Sequence, residues 1–347
     1  MTEPWGRPWA GNLTQHTIES QALKDNPLGD PHERPLLVYT PPGYGGDRDV
    51  ATERYPSVYV IQGLTGQVTM WTNRQPFKRS VPEMIDAGMA DGSIPPAIIV
   101  FVDAWTAIGG SQFLDSPATG HYHTYLCDEV VPWVDARFRT DARRERRAIA
   151  GKSSGGYGAM VTPMLRPDLF SGLATHAGDA LFEHAYWPDV RDALRALRDE
   201  YDLDYDRFWA DFRSRPGRPR RSDNALLNVW TMAACYSADA DGTVRLPWDA
   251  AGRIDHEVWD RWLACDPVRL AVDRADAIRT LRAVWIDAGR SDEFYLDLGA
   301  DAFRRVLLEM GLPEEALHFE LFDGTHSNIE WRYPQAIGWL IQQLGAE

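Results

Sequence analysis

One stretch constrains the fold more than any other: Ala148-Ile149-Ala150-Gly151-Lys152-Ser153-Ser154-Gly155-Gly156-Tyr157-Gly158-Ala159-Met160. A short apolar run ends in Gly-x-Ser-x-Gly and passes directly into small residues able to open a helix. Gly151 and Gly155 leave room for a tight strand-to-helix turn. Such a turn would hold Ser153 in a strained backbone conformation with its hydroxyl presented outward. The helix that follows would aim its free N–H groups and positive dipole end at the same spot, where an oxyanion would be stabilised. Gly155, Gly158 and Ala159 keep that helix close to the sheet.

The rest of the chain supplies the sheet that such a turn requires. Residues 14–23 and 35–40 are expected as strands, followed by a break at Pro41-Pro42-Gly43-Tyr44-Gly45-Gly46. Residues 57–62 form an apolar strand that stops at Gly63-Leu64-Thr65-Gly66. A helix is expected over 82–88, and a buried strand over 97–102 that ends at Asp103-Ala104-Trp105. Helical spacing runs through 121–138, ahead of the strand at 147–152. Further strands are expected at 171–176, 281–287 and 318–322, the last two followed by helices near 294–311 and 328–344. This alternation argues for a mainly parallel sheet covered on both faces.

The interval 180–265 breaks the rhythm. It holds charged helical sequence at 190–201, an arginine/proline loop at 213–221, and Trp187, Trp209, Trp230, Trp248, Trp259 and Trp262. It is expected to be an inserted, mostly helical cap (180–265) on a core made of 1–179 and 266–347. Most of its tryptophans are expected to form the cap's own small core, and the remainder to favour an apolar or aromatic substrate.

With 347 residues, 44% of them hydrophobic, the chain suffices for one large domain or one domain with an insertion. Its net charge of −15 argues against nucleic acid and anionic membrane surfaces as partners. Cys127, Cys235 and Cys265 lie far apart, so neither a disulfide framework nor a zinc site is indicated. No apolar run approaches the roughly 20 residues needed to span a bilayer, and no signal peptide is apparent. A cytoplasmic protein is the expectation. Residues 1–12 read as an irregular arm whose Trp5 and Trp9 dock on the body or on a second subunit, which leaves a homo-oligomer open.

A serine nucleophile needs a base, and the base needs an orienting carboxylate. Downstream of Ser153, Trp285-Ile286-Asp287-Ala288-Gly289-Arg290-Ser291-Asp292-Glu293-Phe294 closes one strand with an acidic loop. Phe322-Asp323-Gly324-Thr325-His326-Ser327 closes the last with a histidine. Both loops leave the carboxyl ends of strands, where open α/β sheets place their sites. His326 has the best context for the base. Asp292 leads for the acid, because it follows a Gly-x-x turn and can swing back; Asp287 and Asp179 are the alternatives, and any of the three can be a helix cap. The oxyanion hole needs two backbone N–H groups, expected from Ser154 and Leu64. Gly63, Trp71, Trp105, Tyr157 and Trp187 are expected to line the substrate site.

Other features point elsewhere or nowhere. His121-x-His123 has no partnering cluster for a metal. His176 and His184 flank the start of the insertion, where such histidines are more often satisfied surface or core residues than pocket walls. Gly109-Gly110 reads as a flexible loop beside the pocket, and the arginines from Arg137 to Arg147 as a solvated helix end and turn.

Five pieces of the chain together resemble the putative-esterase branch of the α/β-hydrolases, which includes S-formylglutathione hydrolases, feruloyl esterases, enterochelin-type esterases and mycolyltransferases. They are Val38-Tyr39-Thr40-Pro41-Pro42-Gly43-Tyr44, the strand from Tyr55 to Gly63, the elbow from Gly151 to Ala159, Gly289-Arg290-Ser291-Asp292, and Gly324-Thr325-His326. The resemblance covers about residues 35–180 and 280–345. It implies an α/β-hydrolase with a Ser153–His326–Asp292 triad, Leu64 and Ser154 as oxyanion donors, and no cofactor. Gln62 departs from the histidine or aspartate common before the Gly63 position, which puts the local support of the oxyanion loop in question. The 180–265 insertion matches no subfamily, so no substrate is carried over. The expectation is a serine carboxylic-ester hydrolase for a bulky or aromatic small-molecule ester. Acyl transfer to an alcohol and a catalytically silent binding protein are the alternatives.

Overall fold

The structure is a computed structural model that describes residues 8–46, 52–74, 77–217, 219–249 and 251–345. Its strands are β1 (Asn12–Glu19), β2 (Glu33–Thr40), β3 (Ser57–Ile61), β4 (Ile98–Val102), β5 (Asp115–Ser116), β6 (Gly120–His121), β7 (Arg147–Ser153), β8 (Gly172–Gly178), β9 (Ala283–Gly289) and β10 (Leu317–Phe322). Eight of them form one sheet in the order β1-β2-β4-β3-β7-β8-β9-β10. From β4 to β10 every neighbouring pair is parallel. At the other edge β2 runs antiparallel to both β1 and β4. The short β5–β6 hairpin stands apart, and nothing in the alternation pattern signalled it.

The central strands are continuous apolar runs because both faces are covered. Along β3, Val58 and Val60 join one core with α1 (Val81–Asp91) and the C-terminal helix, while Tyr59 and Ile61 join the core on the opposite face. Helix α1 starts with a reciprocal capping box between Ser80 and Glu83, which satisfies donors at its first turn. The expected helix over 121–138 is present as α2 (Tyr122–Thr124) and α3 (Val131–Arg137), joined by a π-helical stretch at Tyr125–Val130. Behind β7 comes α4 (Ser154–Leu165).

Between β8 and β9 lie α5 (Phe182–Ala185), α6 (Trp187–Tyr201), α7 (Tyr205–Ser214), α8 (Asp223–Tyr236), α9 (His256–Cys265), α10 (Pro267–Asp273) and α11 (Ala275–Ile278). Helices α12 (Leu296–Glu309) and α13 (Arg332–Gly345) follow β9 and β10. The inserted helices do not enclose a separate core. Phe208, Trp209 and Trp262 belong to the same contiguous apolar cluster as Ile61, Tyr157 and Phe303 under the sheet. The helices between β8 and β9 are therefore packed into the core on one face of the sheet.

One expectation changes here. Arg147 is not solvated: it is buried at the start of β7, donating to the Asp135 carboxylate at 2.6 Å and to the carbonyls of Leu169 and Ala142. Trp5 lies outside the described residues, while Trp9 is exposed and packs loosely on Tyr39, with ring centroids 6.2 Å apart.

Candidate active site

Ser153 sits between β7 and α4 with φ 57° and ψ −127°, a backbone conformation that costs a residue with a side chain about 1–3 kcal/mol. The two flanking glycines make this turn possible. A Cβ on Gly151 would fall on the carbonyl group of Gly155, and a Cβ on Gly155 would lie 2.5 Å from the Ile61 carbonyl oxygen. The parallel register with β8 also breaks here, Lys152 pairing with His176 but Ser153 with Gly178. The turn thus lifts Ser153 out of the sheet at its carboxyl edge.

The loops after β9 and β10 are laced together: Arg290 N donates to Phe322 O (2.9 Å) and Ser291 N to Gly324 O (2.9 Å). That pairing sets His326 beside Asp292, with His326 Nδ1 2.9 Å from Asp292 Oδ2. The Asp292 side chain is fully buried, and that of His326 nearly so. The second oxygen of Asp292 accepts from Phe294 N at 2.9 Å, which fixes the carboxylate's orientation. His326 N donates to Glu293 Oε2 (2.8 Å), and the Phe294 ring meets the imidazole edge-on at 4.9 Å.

The other two acids are engaged elsewhere. Asp287 is buried in the sheet, where it meets His176 Nδ1 (2.8 Å) and accepts from Trp285 Nε1 (2.6 Å) and Arg332 Nε (2.8 Å). Burial pushes its carboxyl up, but the His176 and Arg332 charges and these hydrogen bonds outweigh that and hold it below the usual range. His176 is consequently a core residue and does not border the pocket. Asp179 accepts from Gln112 Nε2 (3.1 Å), Tyr186 OH (3.0 Å) and Ser154 Oγ (3.3 Å). Burial raises its carboxyl above the usual range against the pull of those donors.

Leu64 follows β3 in a turn closed by Gly66 N donating to Gly63 O (3.1 Å). A Cβ on Gly63 would lie 3.0 Å from Lys152 O and 3.3 Å from Ser153 Cβ, so the turn rides directly on the elbow. Gln62 answers the question of local support. Its side-chain amide donates to Val102 O and accepts from Ala104 N (2.6 Å) and Trp105 N (3.0 Å), tying the end of β3 to the end of β4. Asp103 extends the brace by accepting from Val68 N at 2.8 Å. Thr65 N donates to Gly109 O (2.8 Å), and Gly109-Gly110 packs beneath the Leu64 side chain. Ser154 is the first residue of α4, where helix geometry leaves the backbone N–H without an intrahelical acceptor.

Ser153, His326, Leu64 and Ser154 all open onto one cavity of about 330 Å³. Gly63 and Trp71 line it as expected. Trp105, Tyr157 and Trp187 are not among its walls. The Trp105 backbone is taken up by Arg34, Gln62 and Asp103. Tyr157 is buried beneath the elbow, with its hydroxyl donating to Cys265 O (3.1 Å). Trp187 stacks obliquely on Trp259 at 4.8 Å. The inserted helices instead face the cavity with Tyr186, Asp189, Asn224, Leu227 and Asn228, and Asn228 Nδ2 donates to Asp189 Oδ2 at 2.5 Å. The 224/227/228 spacing along one helical face is the sequence signal for that wall. Lys152 and Glu330 line the cavity too, and burial lowers the lysine's pKa despite the acids around it.

Among the described residues no group of three His, Cys, Asp or Glu side chains is arranged to hold a metal ion. The His123 imidazole faces Phe113 O at 3.2 Å and Cys127 Sγ at 3.7 Å. No helix among the described residues is long and apolar enough to cross a membrane.

The sequence matches the profile of the family described as Putative esterase over residues 31–334. It is 32% identical to an endo-1,4-beta-xylanase/feruloyl esterase of Xylanibacter ruminicola across 46% of this chain and 20% of that protein. It is 31% identical to an esterase of Mycobacterium tuberculosis across 29% of this chain and 24% of that one. The matches thus span a fifth to a quarter of these relatives' length. Among solved structures, a ferulic acid esterase superposes with a TM-score of 0.62 at 19% identity, covering 97% of this chain and 100% of that one. An S-formylglutathione hydrolase from Staphylococcus aureus does so with 0.56 at 15% identity, covering 95% and 99%. At such identities the likeness is one of fold, an α/β-hydrolase sheet with its elbow.

Proposed function

Since the chain belongs to the Putative esterase family, we propose that it hydrolyses carboxylic esters through Ser153, His326 and Asp292. The observation that carries this is the 2.9 Å His326–Asp292 contact at the wall of the cavity into which the strained Ser153 opens. Ser153 Oγ attacks the acyl carbonyl while His326 Nε2 takes its proton. Asp292 holds Nδ1–H and thereby fixes the tautomer and stabilises the imidazolium. The backbone N–H groups of Leu64 and Ser154 receive the developing oxyanion. His326 then protonates the departing alcohol, and water activated by the same imidazole releases the acid from the acyl-serine. No step calls for a cofactor.

A bulky or aromatic ester is the proposed substrate, a small molecule that the cavity's volume and its Trp71, Phe294 and Tyr186 walls would accept. Residues 180–265 would act as the cap that shapes this cavity, on a core of 1–179 and 266–347; α10 packs on α4 and α12, which supports drawing the boundary ahead of it. Three free cysteines suit a reducing, cytoplasmic setting. The test is hydrolysis of p-nitrophenyl acetate, butyrate, octanoate and ferulate by the wild type and by Ser153→Ala. Loss of about 10⁴-fold or more in kcat is expected in the variant. Near-wild-type turnover would overturn the assignment.

A further inference from the structure

Asp179 is the acid left without a task by the proposed chemistry, yet it lines the same cavity as Ser153. It stands just past the end of β8, only 5% exposed. Its Oδ2 accepts from three side chains that come from three different parts of the chain. Ser154 Oγ (3.3 Å) belongs to the first residue of the elbow helix, Gln112 Nε2 (3.1 Å) to the loop after β4, and Tyr186 OH (3.0 Å) to the residue before α6. Gln112 Nε2 also reaches Tyr236 OH at 2.6 Å, and the hydroxyls of Tyr186 and Tyr236 lie 3.1 Å apart. Gln112 and Phe113 are both held at positive φ (53° and 54°), each about 1–2 kcal/mol uphill, so the loop is bent specifically to deliver that amide.

We propose that Asp179 is a positioning residue for the oxyanion hole: by holding Ser154 Oγ it keeps the Ser154 backbone N–H aimed into the cavity, and Tyr186 and Tyr236 make that grip depend on the inserted helices. A serine hydroxyl in the first turn of a helix competes for nearby backbone groups. An outside acceptor removes that competition and fixes the rotamer. Because Tyr186, just before α6, donates to that acceptor, and Tyr236, at the end of α8, holds Tyr186 and Gln112 in place, displacement of those helices would loosen the donor that faces the oxyanion. This rests on the proposed role of Ser154, and the test separates the two.

The experiment is a double-mutant cycle on p-nitrophenyl butyrate with Asp179→Ala, Ser154→Ala and the combination, the alanine at 154 retaining its backbone N–H. Each variant is also titrated with an aliphatic boronic acid, which mimics the tetrahedral intermediate. Asp179→Ala is expected to lower kcat about 10- to 100-fold with KM within about two-fold of wild type, and to raise the boronate Ki by the same factor. The double variant is expected to be no slower than Asp179→Ala, because both changes cut one link. If Asp179→Ala does not fold, Asp179→Leu, which fills the site but offers no acceptor oxygen, completes the same cycle. Wild-type kcat in the Asp179 variant, multiplicative losses in the double variant, or an effect confined to KM would each overturn the proposal. An enzyme that depends on Ser153 but is indifferent to Asp179 loses this inference alone, whereas one indifferent to Ser153 loses the mechanism beneath it.

Discussion

His326 Nδ1 lies 2.9 Å from Asp292 Oδ2 in the loops that crown β9 and β10, and the carboxylate it meets is fully buried. A second histidine–aspartate pair, His176 with Asp287 at 2.8 Å, lies one strand away inside the sheet. The two pairs look alike in composition and are predicted to behave in opposite ways. Asp292→Asn should lower kcat by about 10⁴-fold, since the imidazole loses its tautomer, while the melting temperature stays near wild type. Asp287→Asn should take from buried Arg332 the more buried of its two carboxylate partners, leaving only Glu320, and cost about 3 kcal/mol of stability, with kcat of the folded fraction close to wild type. Kinetics and thermal melts on both variants check this; exchanged phenotypes would move the acid to Asp287.

The same buried network sets an acid limit to stability. Asp287 is held below the ordinary carboxyl range by the balance of burial against His176 and Arg332. Its contribution is therefore complete above the unfolded carboxyl value, about 3.9, and is lost as pH falls through the lower folded value. Wild type and Asp287→Asn should differ most in urea midpoint near neutral pH. The difference should shrink below pH about 4; a gap that widened on acidification would contradict the assignment.

Leu227 faces the cavity from α8. Leu227→Trp should narrow the space without touching Ser153, Asp292 or His326. Turnover of the octanoate and ferulate esters is expected to fall about tenfold or more in kcat/KM, while the acetate ester stays within about two-fold. An equal loss on all esters would mean that α8 shapes the elbow and not the substrate space.

The sheet was legible in the sequence wherever strands are buried on both faces. In β3, β4, β7 and β9 the apolar run itself marks the strand, and Gly or Asp near its end marks the turn. The elbow was legible because close backbone approach leaves so few residue types at 151 and 155. The choice among Asp179, Asp287 and Asp292 was harder, because each stands at or near the carboxyl end of a strand and only the register of β8, β9 and β10 decides which of them meets His326. The cavity wall was the least legible part. Trp187 and its neighbours are conspicuous in composition, yet large rings serve packing first, and Trp187 went to Trp259 while Asn224, Leu227 and Asn228 turned to the cavity. Arg147 departs from expectation for a related reason: an arginine run reads as solvated unless one of its members is drawn inward by a half-buried carboxylate such as Asp135.

The central claim, that Ser153 is an activated nucleophile, is tested most directly by covalent labelling. Wild-type protein is treated with a fluorophosphonate probe, the adduct is read by intact mass, and its position is mapped by peptide sequencing. The account predicts one adduct per chain, on Ser153, abolished in Ser153→Ala and slowed by several orders of magnitude in Asp292→Asn. Folded wild-type protein that takes up no probe, or that carries it on a residue other than Ser153, would contradict it.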